Sequence, residues 1–517
     1  MTAKMNRLAF FVLVVVGSFA AACGGGGSGS GPGPGSTPPP PQPPPKFSNA
    51  SLSGQYAFSM AGTELCAGSG SFFGRVGTFV ADAHGNITGG LEDVNICTGV
   101  QTLQFTGGTY SIGPDGRGAL GLTNSSGTTT YSIALSSTTE GAIGQTDVDV
   151  TASGSFQRQN TAAFTDKALA GGYVFDFKGV EVTGTTVSPA SIVGRFDADG
   201  AGGVGNGLFD SNVAGSLSGQ QTFPTGAFYQ FDPNTDGTTF GRGTAKIAGR
   251  NFAFYAVDAT RVKFNGTDFP SAFAGDAFAQ QNIAFNLGSL NGGFAFLISG
   301  LSTTGSIGTA GRFTADGAGN LTGVVVDENN NGVITLLPNG TVTGTYTVDN
   351  NQLGGGTLTW TDTKAGTFSF IFYLISATQG VFQETDSKLV SDGLFSAQTT
   401  NPISAASLAG DYVFDWSGGS NAQEDFVGQL TLTPSGSFSG TMDFNEFATG
   451  KQFFDVPISG SLVLNGDGTQ ANTFSVNAQI TPARTFNFTV YVVNQNTLFL
   501  VGVDTNQVVV GTMTRQP

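Results

Sequence analysis

Three short blocks recur in the same order four times along the chain, and no other feature constrains the fold as strongly. The first is Leu-x-Gly-x-aromatic-x-Phe, at Leu52 to Phe58, Leu169 to Phe175, Leu290 to Phe296 and Leu408 to Phe414. Successive copies start 117, 121 and 118 residues apart. The second is Gly77-Thr-Phe79-Val-Ala-Asp82, repeated as Gly194-Arg-Phe196-Asp-Ala-Asp199 and Gly311-Arg-Phe313-Thr-Ala-Asp316, and reduced to Gly428-Gln-Leu430 in the fourth copy. The third closes each unit as Asp-x6-Gly-x4-Gln: Asp147, Gly154 and Gln159; Asp268, Gly275 and Gln280; Asp386, Gly393 and Gln398; Asp504, Gly511 and Gln516. A unit of about 115 residues is too long for a solenoid repeat and has the size of an independent domain. The blocks divide the chain into units at 48–160, 161–282, 283–400 and 401–517.

Within a unit the hydrophobic period is two. Phe313 and Ala315 share one face while Arg312 and Thr314 share the other, and Thr345-Tyr346-Thr347-Val348 alternates in the same way. These are half-buried strands. Asp199-Gly200, Asp316-Gly317, Asp115-Gly116 and Asn339-Gly340 punctuate them, because such pairs accept the positive φ of tight hairpin turns. In the third unit the pattern predicts strands near 293–299, 308–315, 320–327, 343–349, 356–361, 367–376, 379–385 and 392–398. The predicted fold class is therefore all-β, with four tandem domains. An eight-stranded antiparallel meander exposes two edges unless it closes, so each unit is expected to be an up-and-down barrel. The strand count and the opening Gly-x-aromatic resemble lipocalin and avidin barrels. Phe368 to Ile375 is apolar on both faces, as is Phe486 to Val493. A strand buried on both sides implies domain–domain packing or a two-sheet β-sandwich, which stands as the alternative. A propeller with two blades per unit ranks third. Many strands are shorter than the about 9–11 residues of a membrane-spanning barrel strand.

The N-terminus reads as an address. Lys4 and Arg7 precede an apolar run from Leu8 to Val16, too short to span a bilayer, and small residues lead to Cys23. Ala20-Ala21-Ala22-Cys23 resembles a lipoprotein signal, with residues 1–22 removed and Cys23 acylated; the alternative is an ordinary signal beside an unrelated cysteine. Residues 23–47 form a Gly/Ser stretch followed by Pro38 to Pro41 and Pro43 to Pro45, a tether of flexible coil and stiff polyproline II. The resemblance implies a membrane partner through the lipid on Cys23. With Gly24 after the cysteine, it also implies an outer-membrane location, periplasmic or surface-facing. Loss of Lys4 and Arg7 takes the net charge from -16 to -18, so anchoring falls to acyl chains rather than anionic headgroups.

That charge disfavours a nucleic-acid partner. One histidine, His84, and three cysteines leave little for metal or nucleophile chemistry. Cys66 follows the first strand of its unit and Cys97 the third, and alternate hairpins share one end, so the two are expected to form a disulfide worth about 3–4 kcal/mol. Asp232-Pro-Asn234-Thr-Asp236-Gly237 matches the first half of a calcium loop, and Asp327-Glu-Asn329-Asn-Asn331-Gly332 matches it less well. Position twelve is Gly243 or Pro338 rather than glutamate, so a turn reading is preferred and no cofactor is expected beyond an optional calcium. Each unit also carries Asp-x-Asn after its expected third strand: Asp93 and Asn95, Asp210 and Asn212, Asp327 and Asn329, Asp443 and Asn445. Both side chains point to one face, where they suit an ion, a sugar hydroxyl or, preferentially, an Asx-turn ending the strand. Paired carboxylates are marked nowhere, and there is no Gly-x-Ser-x-Gly elbow, so no catalytic residue is assigned. The blocks resemble those of bacterial surface lipoproteins that begin Ala-Cys-Gly-Gly-Gly and carry Gly-Arg-Phe-x-Ala-Asp-Gly repeats; the resemblance implies no activity. The expected function is non-enzymatic, in adhesion or envelope structure through an unknown surface partner. The alternatives are a binding protein for a small apolar ligand or glycan, and a secreted hydrolase. An open, partly polar lumen would favour the binding protein and a phenylalanine-filled one the scaffold.

Overall fold

Each unit is an eight-stranded antiparallel meander. A computed structural model describes residues 46–517 except 146, 234–239, 303–304, 339, 341, 364, 399–402, 420–422, 448 and 467. In barrel 1 strands 1 to 3 are Ser53–Cys66, Ser69–Asp82 and Asn86–Ile96. Strand 4 comes in two pieces, Gly99–Phe105 and Gly107–Ile112, and strands 5 to 8 are Arg117–Asn124, Gly127–Leu135, Glu140–Gln145 and Val150–Arg158. Strand 8 returns to strand 1 with Phe156 opposite Phe58, which closes the sheet. Barrels 3 and 4 close in the same way, Phe395 opposite Phe296 and Met513 opposite Phe414. Barrel 2 has the same order. Its fourth strand is broken into Ser216–Leu217, Gln221–Thr222 and Phe228–Phe231, and closure there rests on the Gly203–Phe228 bridge and the Tyr229 amide bonded to the Gly202 carbonyl at 3.0 Å. The barrel expectation holds, and the sandwich is not formed. Among the described residues no helix is long and apolar enough to cross a membrane.

The repeated blocks are the parts of one closure device. The first-block phenylalanine on strand 1 stands directly across from the second-block glycine on strand 2: Phe58 and Gly77, Phe175 and Gly194, Phe296 and Gly311, Phe414 and Gly428. A Cβ on any of these glycines would sit 2.3–2.8 Å from the phenylalanine ring, so the glycine is the seat of the ring. The first-block leucine ends a short helical turn and drops into the upper mouth; Leu52, Leu290 and Leu408 are fully buried. In barrels 1 to 3 a tyrosine hydroxyl donates to that leucine's carbonyl, from Tyr110 at 2.8 Å, Tyr229 at 2.7 Å and Tyr346 at 2.9 Å. Aromatic rings fill the space below, so each barrel has its own core.

In barrel 3 every expected strand is present, with strand 3 extended to Asn320–Asn330 and one addition. Val333–Leu337 is a first piece of strand 4 that the apolar run Val-Ile-Thr-Leu-Leu, lacking alternation, did not announce.

The four barrels form a ring. Strands 1 and 2 of each barrel pack on strands 6 to 8 of the next, and barrel 4 packs on barrel 1 in the same manner. A head-to-tail contact whose rotation closes yields a ring instead of a filament. Four apolar seams result: Ala57, Val76 and Leu91 against Tyr255 and Val257; Val174 and Val193 against Tyr373, Ile375 and Val381; Ala295, Ala310 and Val325 against Tyr491, Val493, Phe499 and Val501; Val413 and Val427 against Ala134 and Ala142. Tyr373 with Ile375, and Tyr491 with Val493, are the second faces of the doubly apolar strands. Their apolarity reports barrel-on-barrel packing.

Candidate functional site

The most elaborate polar chemistry lies in the seams. Each Asp-x-Asn pair sits inside strand 3, on its outward face, and points at a neighbouring barrel; of the Asx-turn expected there, Asn329 keeps a local form, its Oδ1 accepting the Gly332 N–H at 2.9 Å. The asparagine amide bridges two or three backbone carbonyls across the seam. Asn95 donates to Gly266 and Ser271, both at 2.9 Å, and Asn212 to Glu384 at 3.2 Å and Leu389 at 2.8 Å. Asn329 donates to Gly502, Asp504 and Gln507, and Asn445 reaches from barrel 4 to Asp147 at 3.2 Å and Val150 at 2.7 Å in barrel 1. A carboxamide suits this task because its NH2 carries two donors.

The aspartates take donors from the neighbouring barrel too. Asp93 receives a bidentate pair from Arg242, 2.7 Å on each oxygen, together with Tyr255 at 2.8 Å and Thr102 of its own barrel at 2.6 Å. Asp443 accepts from Arg117 at 2.8 Å, again between barrels 4 and 1. Asp210 and Asp327 accept from Tyr373 at 2.7 Å and Tyr491 at 2.8 Å, with no arginine among the described residues paired to either. Burial pushes both of these carboxyls up to about 6. The third-block glutamine completes the grip: Gln159 donates to Phe240 and Ala256, Gln280 to Leu353 and Leu374, Gln398 to Thr469 and Val492, Gln516 to Asp115 and Leu135. The glutamine that ends each sequence unit thus clasps the following barrel. At the ring's last joint Lys46 adds bonds to Asp411 at 2.7 Å and the Pro517 carbonyl at 3.0 Å.

The remaining candidates lie elsewhere. Asp232 is ion-paired with Arg242, the same guanidinium that holds Asp93, while Asn234, Asp236 and the lipid-anchor candidate Cys23 lie outside the described residues. Asp327 and Asn329, read as part of a weak calcium loop, belong to a strand and are bonded to barrel 4. Cys66 and Cys97 form a disulfide, with Cα atoms 6.3 Å apart. Glu64 lies close to both sulfurs and accepts the Cys97 N–H at 2.5 Å; sulfurs bonded to each other are not thiolate ligands. His84 occupies an exposed turn in which Asp82 accepts the Asn86 side-chain amide at 2.7 Å and the backbone amides of Asn86 and His84, which together hold the Asp82 carboxyl down at about 2. Both tryptophans, Trp360 and Trp416, are fully buried in barrel cores, away from any glycan-stacking surface.

Among the described residues, buried aromatic and aliphatic side chains occupy each lumen. In barrel 2 the void between Tyr173, Phe196, Tyr229, Phe254 and Phe264 measures about 10 Å³, enough for one water at most. An outer groove of about 420 Å³ runs along the first piece of strand 4 in barrel 3, Val333–Leu337, and along Asp362 at the end of strand 5. Nothing in the sequence marked it.

No protein-family model matches the chain, and no curated protein matches it. Among solved structures, a point mutant of transferrin binding protein B from Haemophilus parasuis is 11% identical over 73% of this chain and 84% of that one, with a TM-score of 0.21. The isotype 1 transferrin binding protein B of serogroup B Neisseria meningitidis is 10% identical over 74% of this chain and 83% of that one, with a TM-score of 0.19. Alignments at such TM-scores do not superpose the folds, so the likeness says nothing of what this chain binds.

Proposed function

We propose that the chain is a non-enzymatic envelope lipoprotein that displays a rigid four-barrel ring from a lipid tether, serving adhesion or envelope structure. The observation that carries this reading is where the repeated polar residues go. Side chains present in every copy, the Asp-x-Asn pair and the closing glutamine, are used to hold barrel to barrel. Catalytic groups have no reason to recur four times, whereas joints in a ring must. The filled lumens favour display over carriage of a small apolar ligand or glycan, since a drug-sized ligand needs about 300 Å³ or more. A ring held by four seams presents its outer surfaces in fixed relative positions, which suits multivalent contact.

The test uses the anchor. A strain lacking the protein is complemented with the natural gene or with Cys23→Ser, and cell adherence and envelope integrity are scored. Full complementation by the natural gene, with failure by a Cys23→Ser protein that still folds and is exported, supports tethered display. Equal complementation by both, or no phenotype on deletion, overturns it.

A further inference from the structure

The seam that closes the ring differs from the other three in what it joins and in what fills it. Three seams join barrels that are consecutive in the chain, and the fourth joins the last barrel to the first. Barrel 4 offers strand 1, Gly410–Gly419, and strand 2, Gln423–Leu432, to strands 6 to 8 of barrel 1. The apolar patch here is Val413 and Val427 on Ala134 and Ala142. Ala134 stands opposite Arg117 as Tyr255 stands opposite Arg242. Alanine thus takes the place from which Tyr255, Tyr373 and Tyr491 reach an aspartate in the other seams.

This seam also buries a pair of acids. Asp415 follows the first-block phenylalanine, where the other barrels carry Ser59, Asp176 and Leu297. Asp425 lies three residues before the seat glycine, where they carry Gly74, Ser191 and Gly308. Only barrel 4 is acidic at both places. Asp415 stands opposite Val427 and Asp425 opposite Ser417, so the two carboxylates are diagonal neighbours on the outward face. Asp425 is 2% exposed and accepts from Thr151 at 2.8 Å and Ser153 at 3.0 Å, both on strand 8 of barrel 1. Asp415 keeps a buried Oδ1 without a hydrogen-bond donor.

In the first two seams a cation serves this place. Lys263 of barrel 2 donates to Ser59 at 2.9 Å, and Lys178 pairs at 2.9 Å with Asp392, beside Asp176. Among the described residues no cation reaches Asp415 or Asp425. The other charged groups beside the closing seam are paired or exposed. Asp443 is held by Arg117, Glu424 by Arg484, and Asp411 by Lys46 with Arg515 nearby. Asp147 accepts from Gln145, and Glu140 and Arg158 lie exposed.

Two ionised carboxylates this close repel each other, and the packed seam denies them water, so the closed seam holds a proton that the open one releases. Burial, with Asp425 beside it, pushes Asp415 up to about 8, and burial pushes Asp425 up as well. A hydrated aspartate sits at about 3.9, so this proton stabilises closure in full below about pH 4. The stabilisation is lost as pH rises to about 8, and the opening equilibrium shifts about tenfold per pH unit on the way.

We propose that the seam between barrels 4 and 1 is a proton-held latch whose two faces exchange between copies of this chain. Once it opens, strands 1 and 2 of barrel 4 dock on strands 6 to 8 of barrel 1 in a neighbouring copy. The two faces match each other and not themselves, so copies join head to tail. Capture of a neighbour competes with reclosure wherever copies are crowded. The inference goes beyond the display reading, and its test needs only purified protein.

Two populations of the full-length protein in detergent, carrying different affinity tags, are mixed at high concentration. They are held at about pH 6 or about pH 8, then brought to about pH 6 before one tag is captured. Co-purification of the second tag is expected to develop about a hundredfold faster at about pH 8 than at about pH 6. Asp415→Asn removes the ionisable group while keeping its shape, and should leave exchange slow at both values. Ala142→Lys should do the same: position 142 stands opposite Ser155 as Lys263 stands opposite Asp276, and Lys263 reaches the counterpart of Asp415. Melting curves verify that both variants fold. Equal rates at the two pH values in the parent, the result of copies merely sharing a micelle, overturn the proposal. So does an absence of co-purification at either pH, or parent-like exchange in a folded variant.

Discussion

The seam between barrels 1 and 2 and the seam between barrels 2 and 3 share three grips and differ in a fourth. In both, an asparagine and a glutamine each bridge two carbonyls of the next barrel, and a tyrosine reaches an aspartate. Only in the first seam does this aspartate gain a cation; in the second, Lys178 pairs instead with Asp392 at 2.9 Å. Arg242 begins strand 5 of barrel 2 opposite Tyr255, and the residue that stands opposite Tyr373 in barrel 3 is Gly355. Asp93 is thereby compensated on both oxygens, whereas Asp210 keeps one oxygen without a donor. A repeated Asp-x-Asn therefore does not make a repeated site. The hydrogen-bond partners of the equivalent aspartate are decided by one residue on another barrel.

The largest expected effect breaks the compensated seam. Arg242→Met leaves Asp93 buried without its cation and should cost about 3–5 kcal/mol, read as a loss in equilibrium urea unfolding. Replacement of Gly355 by alanine, where no cation exists to lose, should show nothing comparable.

The second effect is a pH dependence carried by the two aspartates that lack an arginine partner. Asp210 and Asp327 have carboxyls at about 6 in the folded protein against about 3.9 in an unfolded chain, so the native state binds their protons more tightly. The stabilisation is present in full below about pH 4 and is lost as pH rises to about 6, up to about 3 kcal/mol per group. In the same seam between barrels 2 and 3, Asp176 is raised by burial and by Asp392 beside it, which acts in the same direction, while Asp392 is itself held low by Lys178. Urea midpoints of Asp210→Asn and Asp327→Asn should therefore lose pH slope between 4 and 6 relative to the parent. A parent-like slope in both variants would contradict the assignment.

Removing a grip common to both seams should act on both alike. Gln159→Ala and Gln280→Ala each strip the partner from two buried carbonyls and should cost about 1–3 kcal/mol, with limited proteolysis at the inter-barrel linkers reporting the opened joint. The smallest effect is Thr102→Val, which deletes one donor from an aspartate that retains three and should cost about 1 kcal/mol by thermal or urea unfolding.

Much of this molecule was legible before any coordinates. The three blocks name the closure device itself, the lid leucine, the phenylalanine and the glycine that seats it, and alternation locates the strands. The first piece of strand 4 escaped because Val333 to Leu337 has no alternation, being paired along one edge only. The fourfold Asp-x-Asn and glutamine were visible as a pattern but not as a joint. Their partners are main-chain carbonyls on another barrel, and a carbonyl carries no sequence signature. The doubly apolar strands in barrels 3 and 4 pointed to inter-domain packing without naming the partner. Arg242 and Arg117 were missed altogether, since a lone arginine at a strand start looks like any solvated charge.

By itself the sequence determined the barrels, because strand period, turn chemistry and ring-on-glycine contacts are set by residues within one unit. It also determined that there would be four of them. That they bend back so that the last meets the first was decided only in three dimensions. Ring closure depends on the angle each seam imposes, and that angle comes from whole packed surfaces whose members lie far apart along the chain.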